Sequence, residues 1–158
     1  MQMSETLRSL LAGFVDAARS LFAGEEERDA AAAVRLAAAT LLAEMARVDG
    51  KVTQADLRAA RDALCTMFAL SADGAQALIE RAGRTENRPT SYFPAVSVLN
   101  RHLSAEQKVQ FVEQLWRVAN ADREIDVYED HLVRKIADLL YVPHADFISS
   151  KLRVKRAG

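Results

Sequence analysis

Apolar residues recur along this chain at spacings of three and four, the period of an amphipathic α-helix. The first such segment runs from Met3 to Phe22, and its apolar side chains form one wide stripe. A second segment, over residues 29–48, carries apolar residues on more than one face, which predicts a buried central helix. Six further helices are predicted, with starts at Thr53, Ser71, Tyr92, Ser104, Asp126 and Pro143. Because alternating strand-type runs of Val, Ile and Thr are missing, the pattern predicts an all-α protein.

Polar segments divide this pattern into regions. Gly24 and the glutamates after it are predicted to end the first helix, and Asp29 to cap the second. Residues 83–90 (GRTENRPT) are polar and contain a proline, which is typical of a linker between two halves. The predicted organisation has three parts: an N-terminal amphipathic helix at residues 1–24, a single-domain helical bundle at residues 29–150, and a frayed basic tail at residues 151–158. The whole chain is predicted to contain seven or eight helices.

A short acidic segment occurs twice in the chain. Residues 46–61 read ARVDGKVTQADLRAAR, and residues 119–134 read ANADREIDVYEDHLVR. Asp49 aligns with Asp122, an offset of 73 residues, and Asp56 aligns with Glu129 at the same offset. Each copy reads as a helix, an acidic turn and a second helix. We therefore predict a bundle built from a duplicated helix–turn–helix unit, in which the two copies give two chances of a shared acidic site.

The acidic turns have two interpretations. Clustered carboxylates suit hard divalent cations of the Ca²⁺ or Mg²⁺ class, and the candidate ligands are Glu44, Asp49, Asp56, Asp122, Asp126 and Glu129. An EF-hand does not fit, because its first ligand position would fall on Met45 in one copy and on Val118 in the other. The competing interpretation is structural. Capping boxes at Thr53/Asp56 and Asp126/Glu129 would contribute about 1 kcal/mol each without any metal.

Composition narrows the class of protein. The length of 158 residues fits one domain, and the net charge of −1 gives no basic footprint for nucleic acid. A single cysteine and the lack of a secretion signal favour a cytoplasmic protein. We find no phosphate-binding glycine loop, nucleophile elbow or paired-histidine metal motif, so we expect no enzymatic activity.

The two acidic segments also carry a family signature. It consists of Glu44 and Asp56 around the DGKV turn at residues 49–52, and of LWRVA and ADREID at residues 115–119 and 121–126, followed by Tyr128 and Glu129. Through these residues the chain resembles the tellurite-resistance TerB family, most closely its compact stand-alone bacterial members. The resemblance covers about residues 30–150. It implies an all-helical domain, a role in resistance to tellurite and other stresses, and metal binding by the acidic turn residues.

These observations lead to two functional hypotheses. The first is a non-enzymatic stress-response module that binds a divalent cation through its paired turns. The alternative is a metal-free protein–protein interaction or self-association domain that uses the N-terminal amphipathic helix, without stable insertion into a membrane. Two local expectations accompany them. Arg123 stands where the family has glycine and should alter the second loop and weaken cation binding, and Glu44 should pair with Arg47 or Arg61.

Overall fold

Helices account for most of the molecule. The computed structural model describes residues 24–157. Over that range it contains α1 (Glu25–Arg47), α2 (Gln54–Phe68), α3 (Ala72–Gly83), a 3₁₀ helix (Thr85–Asn87), α4 (Phe93–His102), α5 (Ala105–Ala119), α6 (Val127–Leu139) and α7 (His144–Ala157). No strand occurs in the described range, so the prediction of an all-α helical domain is confirmed. The helix predicted at Met3–Phe22 lies outside the described residues.

The chain divides into two compact units, residues 1–33 and residues 34–158. Of the first unit, the structure describes residues 24–33, which include the beginning of α1. The second unit contains the rest of α1 and all the other helices. Among the described helices, none combines the length and the hydropathy that a membrane span requires.

Helix α1 is longer than the sequence pattern predicts. It begins at Glu25, so the prediction that Asp29 caps it was wrong, and Asp29 lies inside the helix. Three glutamates in the first turn complement the helix dipole, and the alanines that follow are the strongest helix formers, so the helix starts earlier than Asp29. Residues 41–46 are all buried, which confirms a central helix that contacts protein on every side.

One hydrophobic core receives side chains from all seven described helices. Helix α5 contacts α2, α6 and α7, while α2 also packs on α3 and α4 on α6. Trp116 of α5 is completely buried, with its ring centroid 5.3 Å from that of Phe147 in α7. The small alanines of α1 and α2 allow close approach, and the large residues of α5 fill the centre.

The C-terminal segment differs from its prediction. Residues 151–157 do not fray but continue α7 to Ala157. Val154 is buried in the core, Nζ of Lys151 lies 2.6 Å from Oδ2 of Asp130, and Nε of Arg153 donates to Glu113 at 3.1 Å. The basic residues therefore hold the last turns of α7 on α5 and α6 through ion pairs, which the charge of the segment alone did not reveal.

Candidate functional site

The first acidic turn, residues 47–53, joins α1 to α2. Its backbone reverses where the amide of Gly50 donates to the carbonyl of Arg47 at 3.0 Å. Gly50 has a φ of 80°, a left-handed conformation that glycine adopts without steric cost. The amide of Lys51 donates to Oδ1 of Asp49 at 2.9 Å. Asp49 is therefore held against its own turn in a fixed orientation.

The second acidic turn, residues 120–126, joins α5 to α6 with the same hydrogen bonds. The amide of Arg123 donates to the carbonyl of Asn120 at 2.9 Å, and that of Glu124 donates to Oδ1 of Asp122 at 3.0 Å. Arg123 adopts a φ of 68°, close to that of Gly50. The expectation that Arg123 alters the loop was wrong, because the arginine accepts the strained conformation and the turn keeps its shape.

A capping box follows each turn, as the sequence predicts. In the first box, the amide of Asp56 donates to the hydroxyl of Thr53 at 3.1 Å, and the amide of Thr53 donates to Asp56 at 3.0 Å. In the second, the amides of Glu129 and Asp126 donate to each other's carboxylates at 2.8 and 3.1 Å. Asp56 and Glu129 are each only 4% exposed. Capping thus draws one carboxylate of each copy into the protein interior.

Three carboxylates from the two turns converge. Asp49, Asp126 and Glu129 each place a carboxylate oxygen within 4.8 Å of the others. This is the one group of three or more potential metal-ligating side chains within the described residues. Glu129 is buried and the other two are partly buried. The structure therefore brings together carboxylates of both turns, and that they form a binding site stays a prediction.

The environment of Glu129 disfavours its negative charge. The pKa of the Glu129 carboxyl is raised to about 8, and burial is the largest cause. The charges of Asp126, Asp122 and Asp49 also raise this pKa, while the backbone hydrogen bond from Asp126 lowers it. Proximity of like charges in a desolvated position is the usual cause of such a shift. A nearby positive charge would therefore stabilise the ionised form of this cluster.

The other three candidate ligands lie outside this group. Glu44 belongs to α1 and accepts a hydrogen bond from Nε of Arg47 at 2.9 Å. Asp56 is held by its capping box, and its Oδ1 is buried without a hydrogen-bond partner among the described residues. Asp122 is exposed, although its charge still contributes to the raised pKa of Glu129. The structure thus gathers half of the predicted residues and leaves the other half apart.

The pairing of Glu44 was only partly anticipated. Arg47 is its partner, as one of the two predicted options had it, while Arg61 lies near Asp62 instead. Arg88, which the sequence analysis did not identify, reaches Oε1 of Glu44 with its Nε at 3.4 Å. The sequence did contain a signal for this pair, namely a glutamate in an apolar helix and an arginine in the polar linker. A buried charge requires a partner, so the glutamate indicated that an arginine lies nearby.

Comparisons with known proteins bear on the family. A search of the curated proteins and a search of the solved structures each give no match. The family model described as "Tellurite resistance protein TerB" matches residues 35–152, which include both acidic turns and most of every described helix. This match covers about three quarters of the 158 residues. It agrees with the helical architecture, and the chain belongs to the TerB family of tellurite-resistance proteins.

Proposed function

We propose that this chain is a non-enzymatic stress-response module of the tellurite-resistance type, which binds one divalent cation between its two acidic turns. One observation carries the proposal. Capping and turn formation explain each acidic residue locally, but neither requires Asp49 to lie within 4.8 Å of Asp126 and Glu129, which follow it by more than 70 residues. A cluster of that kind is costly unless a positive charge offsets it.

The donor set favours a hard cation. All three side chains offer carboxylate oxygens, which suit Ca²⁺, Mg²⁺ and Mn²⁺ better than metals that prefer nitrogen or sulfur ligands. Two oxygens bound to one Ca²⁺ lie at most about 5 Å apart, since each bond is about 2.3–2.6 Å long. The separations within the group fit that limit without rearrangement. The shorter bonds of Mg²⁺, about 2.0–2.1 Å, permit at most about 4.2 Å between two bound oxygens, a stricter limit than that of Ca²⁺.

The capping boxes also support the proposal. The second box uses Oδ1 of Asp126 and Oε1 of Glu129, and the first turn uses Oδ1 of Asp49. Each carboxylate therefore keeps a second oxygen outside these local hydrogen bonds. The same bonds fix the side chains in place, so a cation would meet a site that is already ordered.

Thermal unfolding with and without cations tests this function. Ca²⁺, Mg²⁺, Mn²⁺ and Zn²⁺ are added separately, and a cation at a hundred times its dissociation constant should stabilise the fold by about 2.7 kcal/mol. Asp49→Asn should remove this stabilisation. Asp122→Asn is the matched control, because it removes the aligned carboxylate that lies outside the group. If no cation raises the melting temperature at millimolar concentration, the proposal fails.

The metal-free interaction domain is the second candidate. The apolar stripe from Met3 to Phe22 favours it, since such a stripe suits a partner helix or a second copy of the chain. These residues lie outside the described part of the structure, so the idea stays a prediction. Deletion of residues 1–24 should then abolish partner binding or self-association, as measured by light scattering. We also propose a cytoplasmic location, on the evidence of the single cysteine.

A further inference from the structure

Glu44 is a buried carboxylate that the cation site does not use. It is 4% exposed and lies in the last two turns of α1. Its Oε1 accepts hydrogen bonds from Nε and Nη2 of Arg47, and Nε of Arg88 lies 3.4 Å from the same oxygen. A buried glutamate held by two arginines in this way is a fixed point of the fold, because a buried carboxylate is costly unless it is paired.

Arg47 connects this fixed point to the first acidic turn. It is the last residue of α1, and its carbonyl accepts the hydrogen bond from Gly50 that closes the turn. Its Nη1 also donates to the carbonyl of Gly83 at 3.0 Å, at the end of α3. The backbone that carries Asp49 is thus held from two directions, by Glu44 and by α3.

Arg88 connects the same fixed point to the linker between the two halves. It follows the 3₁₀ helix, and Tyr92 lies four residues further along the chain. Burial raises the pKa of the Tyr92 hydroxyl, the charge of Glu44 raises it further, and the charges of Arg88 and Arg47 lower it, so these groups lie close together. The side chain of Arg88 is 54% exposed, and its ion pair alone should contribute little to global stability.

We propose that Glu44, Arg47 and Arg88 form a positioning network that holds Asp49 in register with Asp126 and Glu129. The effect on cation affinity rests on the proposed function, whereas the effect on the first acidic turn does not. Asp49 is the one member of the cation group that belongs to the first turn. Its distance from the other two carboxylates therefore depends on where α1 ends. Coupling of this kind is reciprocal, so a bound cation should also steady the linker.

Among the residues that the structure describes, the second acidic turn has no counterpart of this network. The residue aligned with Glu44 is Arg117, which is exposed and lies 4.0 Å from Glu113 of the same helix. The second turn therefore serves as an internal control. Any change that acts through Glu44 should affect the first turn and leave the second one unchanged, whereas general destabilisation would affect both.

Amide hydrogen exchange on the full chain tests the positioning. Arg88→Ala should speed exchange of the Gly50 and Lys51 amides by roughly threefold to tenfold, the range that single substitutions along a packed network produce. The aligned amides of Arg123 and Glu124 should keep their rates. Arg84→Ala is the matched control, since it removes the same charge from the same linker but no contact to Glu44. Equal acceleration in both turns, or none in the first, would overturn the proposal.

Cation affinity gives the second readout, by calorimetric titration with Ca²⁺. Arg88→Ala should weaken binding by roughly threefold to tenfold while the melting temperature without the ion stays nearly constant. Arg88→Lys should restore part of the affinity, because it returns the charge. Unchanged affinity in Arg88→Ala contradicts the positioning role and leaves cation binding intact. If the parent protein binds no cation, the proposed function fails, and the exchange rates alone decide the positioning.

Discussion

The two acidic turns have the same backbone hydrogen bonds but differ in the residues that surround them. Each closes with the same hydrogen bonds, places one residue at positive φ and leads into a capping box. The first turn contributes one carboxylate to the shared group, Asp49, while the second contributes Asp126 and Glu129. The first is tethered through Arg47 to Glu44, and the second has Arg117 at the aligned position.

This difference shows how one local motif can take two roles. Turn geometry and capping depend on a few adjacent residues, so both turns have them. Charge and burial depend on distant neighbours, and in these the two turns differ. The second turn supplies two of the three carboxylates. The first turn supplies Asp49, and contacts of Arg47 with Glu44 and with α3 hold the backbone of that turn.

The largest expected effect concerns the helices that precede the turns. Trp116 of α5 is fully buried, and the aligned residue in α1 is Ala43. Trp116→Ala should lower the free energy of unfolding by about 3–5 kcal/mol, since it leaves a cavity beside Phe147. Urea denaturation followed by circular dichroism measures the loss. Trp116→Phe should cost much less. A loss below about 1 kcal/mol for the alanine variant would contradict the central position of Trp116 in the hydrophobic core.

The next effect separates the turns by pH. The pKa of Glu129 is raised to about 8 in the fold from an ordinary value of 4.5, so the folded protein holds a proton that the unfolded chain releases. Without a cation, its contribution to stability is complete below pH 4.5 and is lost as the pH rises to 8. The loss should exceed about 1.4 kcal/mol, the value for one pKa unit.

Chemical denaturation between pH 5 and pH 9 measures this slope. Glu129→Gln should flatten it, because the amide does not titrate. A parent slope that survives this substitution would assign the titration to another group and remove the electrostatic contrast between the turns.

Removal of the caps should distinguish the turns by a smaller amount. Thr53→Ala should cost about 1 kcal/mol. At pH 9, where Glu129 is ionised, Asp126→Ala loses an equivalent cap but also relieves repulsion with Glu129, so without a cation it should cost less than Thr53→Ala at the same pH. Asp126→Ser keeps a capping oxygen and should match or exceed the parent in stability. Thermal melts in chelator at pH 9 give the three values. A larger loss for Asp126→Ala than for Thr53→Ala in chelator would contradict the repulsion.

The smallest effect concerns the residues at positive φ. No atom lies within 4 Å of a Cβ built on Gly50, so Gly50→Ala should cost about 1 kcal/mol through backbone strain alone. Arg123→Gly should relieve the equivalent strain and stabilise by about 0.5 kcal/mol, because added freedom of the unfolded chain offsets part of the gain. Paired urea titrations compare the two. A stabilising Gly50→Ala would show that the turns do not share this constraint.

Features that depend on adjacent residues were predictable from the sequence. The capping boxes at Thr53 and Asp126 and the central position of α1 follow from short-range patterns, and the structure confirms them. The start of α1 was predicted at the wrong residue because Asp29 is a good N-cap. The glutamates before Asp29 favour helix as well, and in the structure they form the first turn of α1. Local preference left two solutions, and the longer helix prevails.

Features that depend on distant residues were less accessible. The repeat predicted which acidic residues correspond, but it did not show that Asp49 rather than Asp56 lies close to Glu129. Nor did it show that Arg88 pairs with a glutamate 44 residues earlier. The helical C-terminus was not predicted because its basic residues were expected to face solvent, whereas Lys151 forms an ion pair with Asp130. In each case, the deciding energy is a contact between helices that sequence spacing does not encode.

The lone tryptophan of the chain gives an optical view of this architecture. The indole of Trp116 is buried against α7, and Nζ of Lys151 lies 4.9 Å from its ring centroid. Its emission should therefore be blue-shifted, and it should move to longer wavelength as soon as α7 detaches. Lys151 also forms an ion pair with Asp130, the neighbour of Glu129, so the emission of Trp116 should respond to a change that breaks this ion pair.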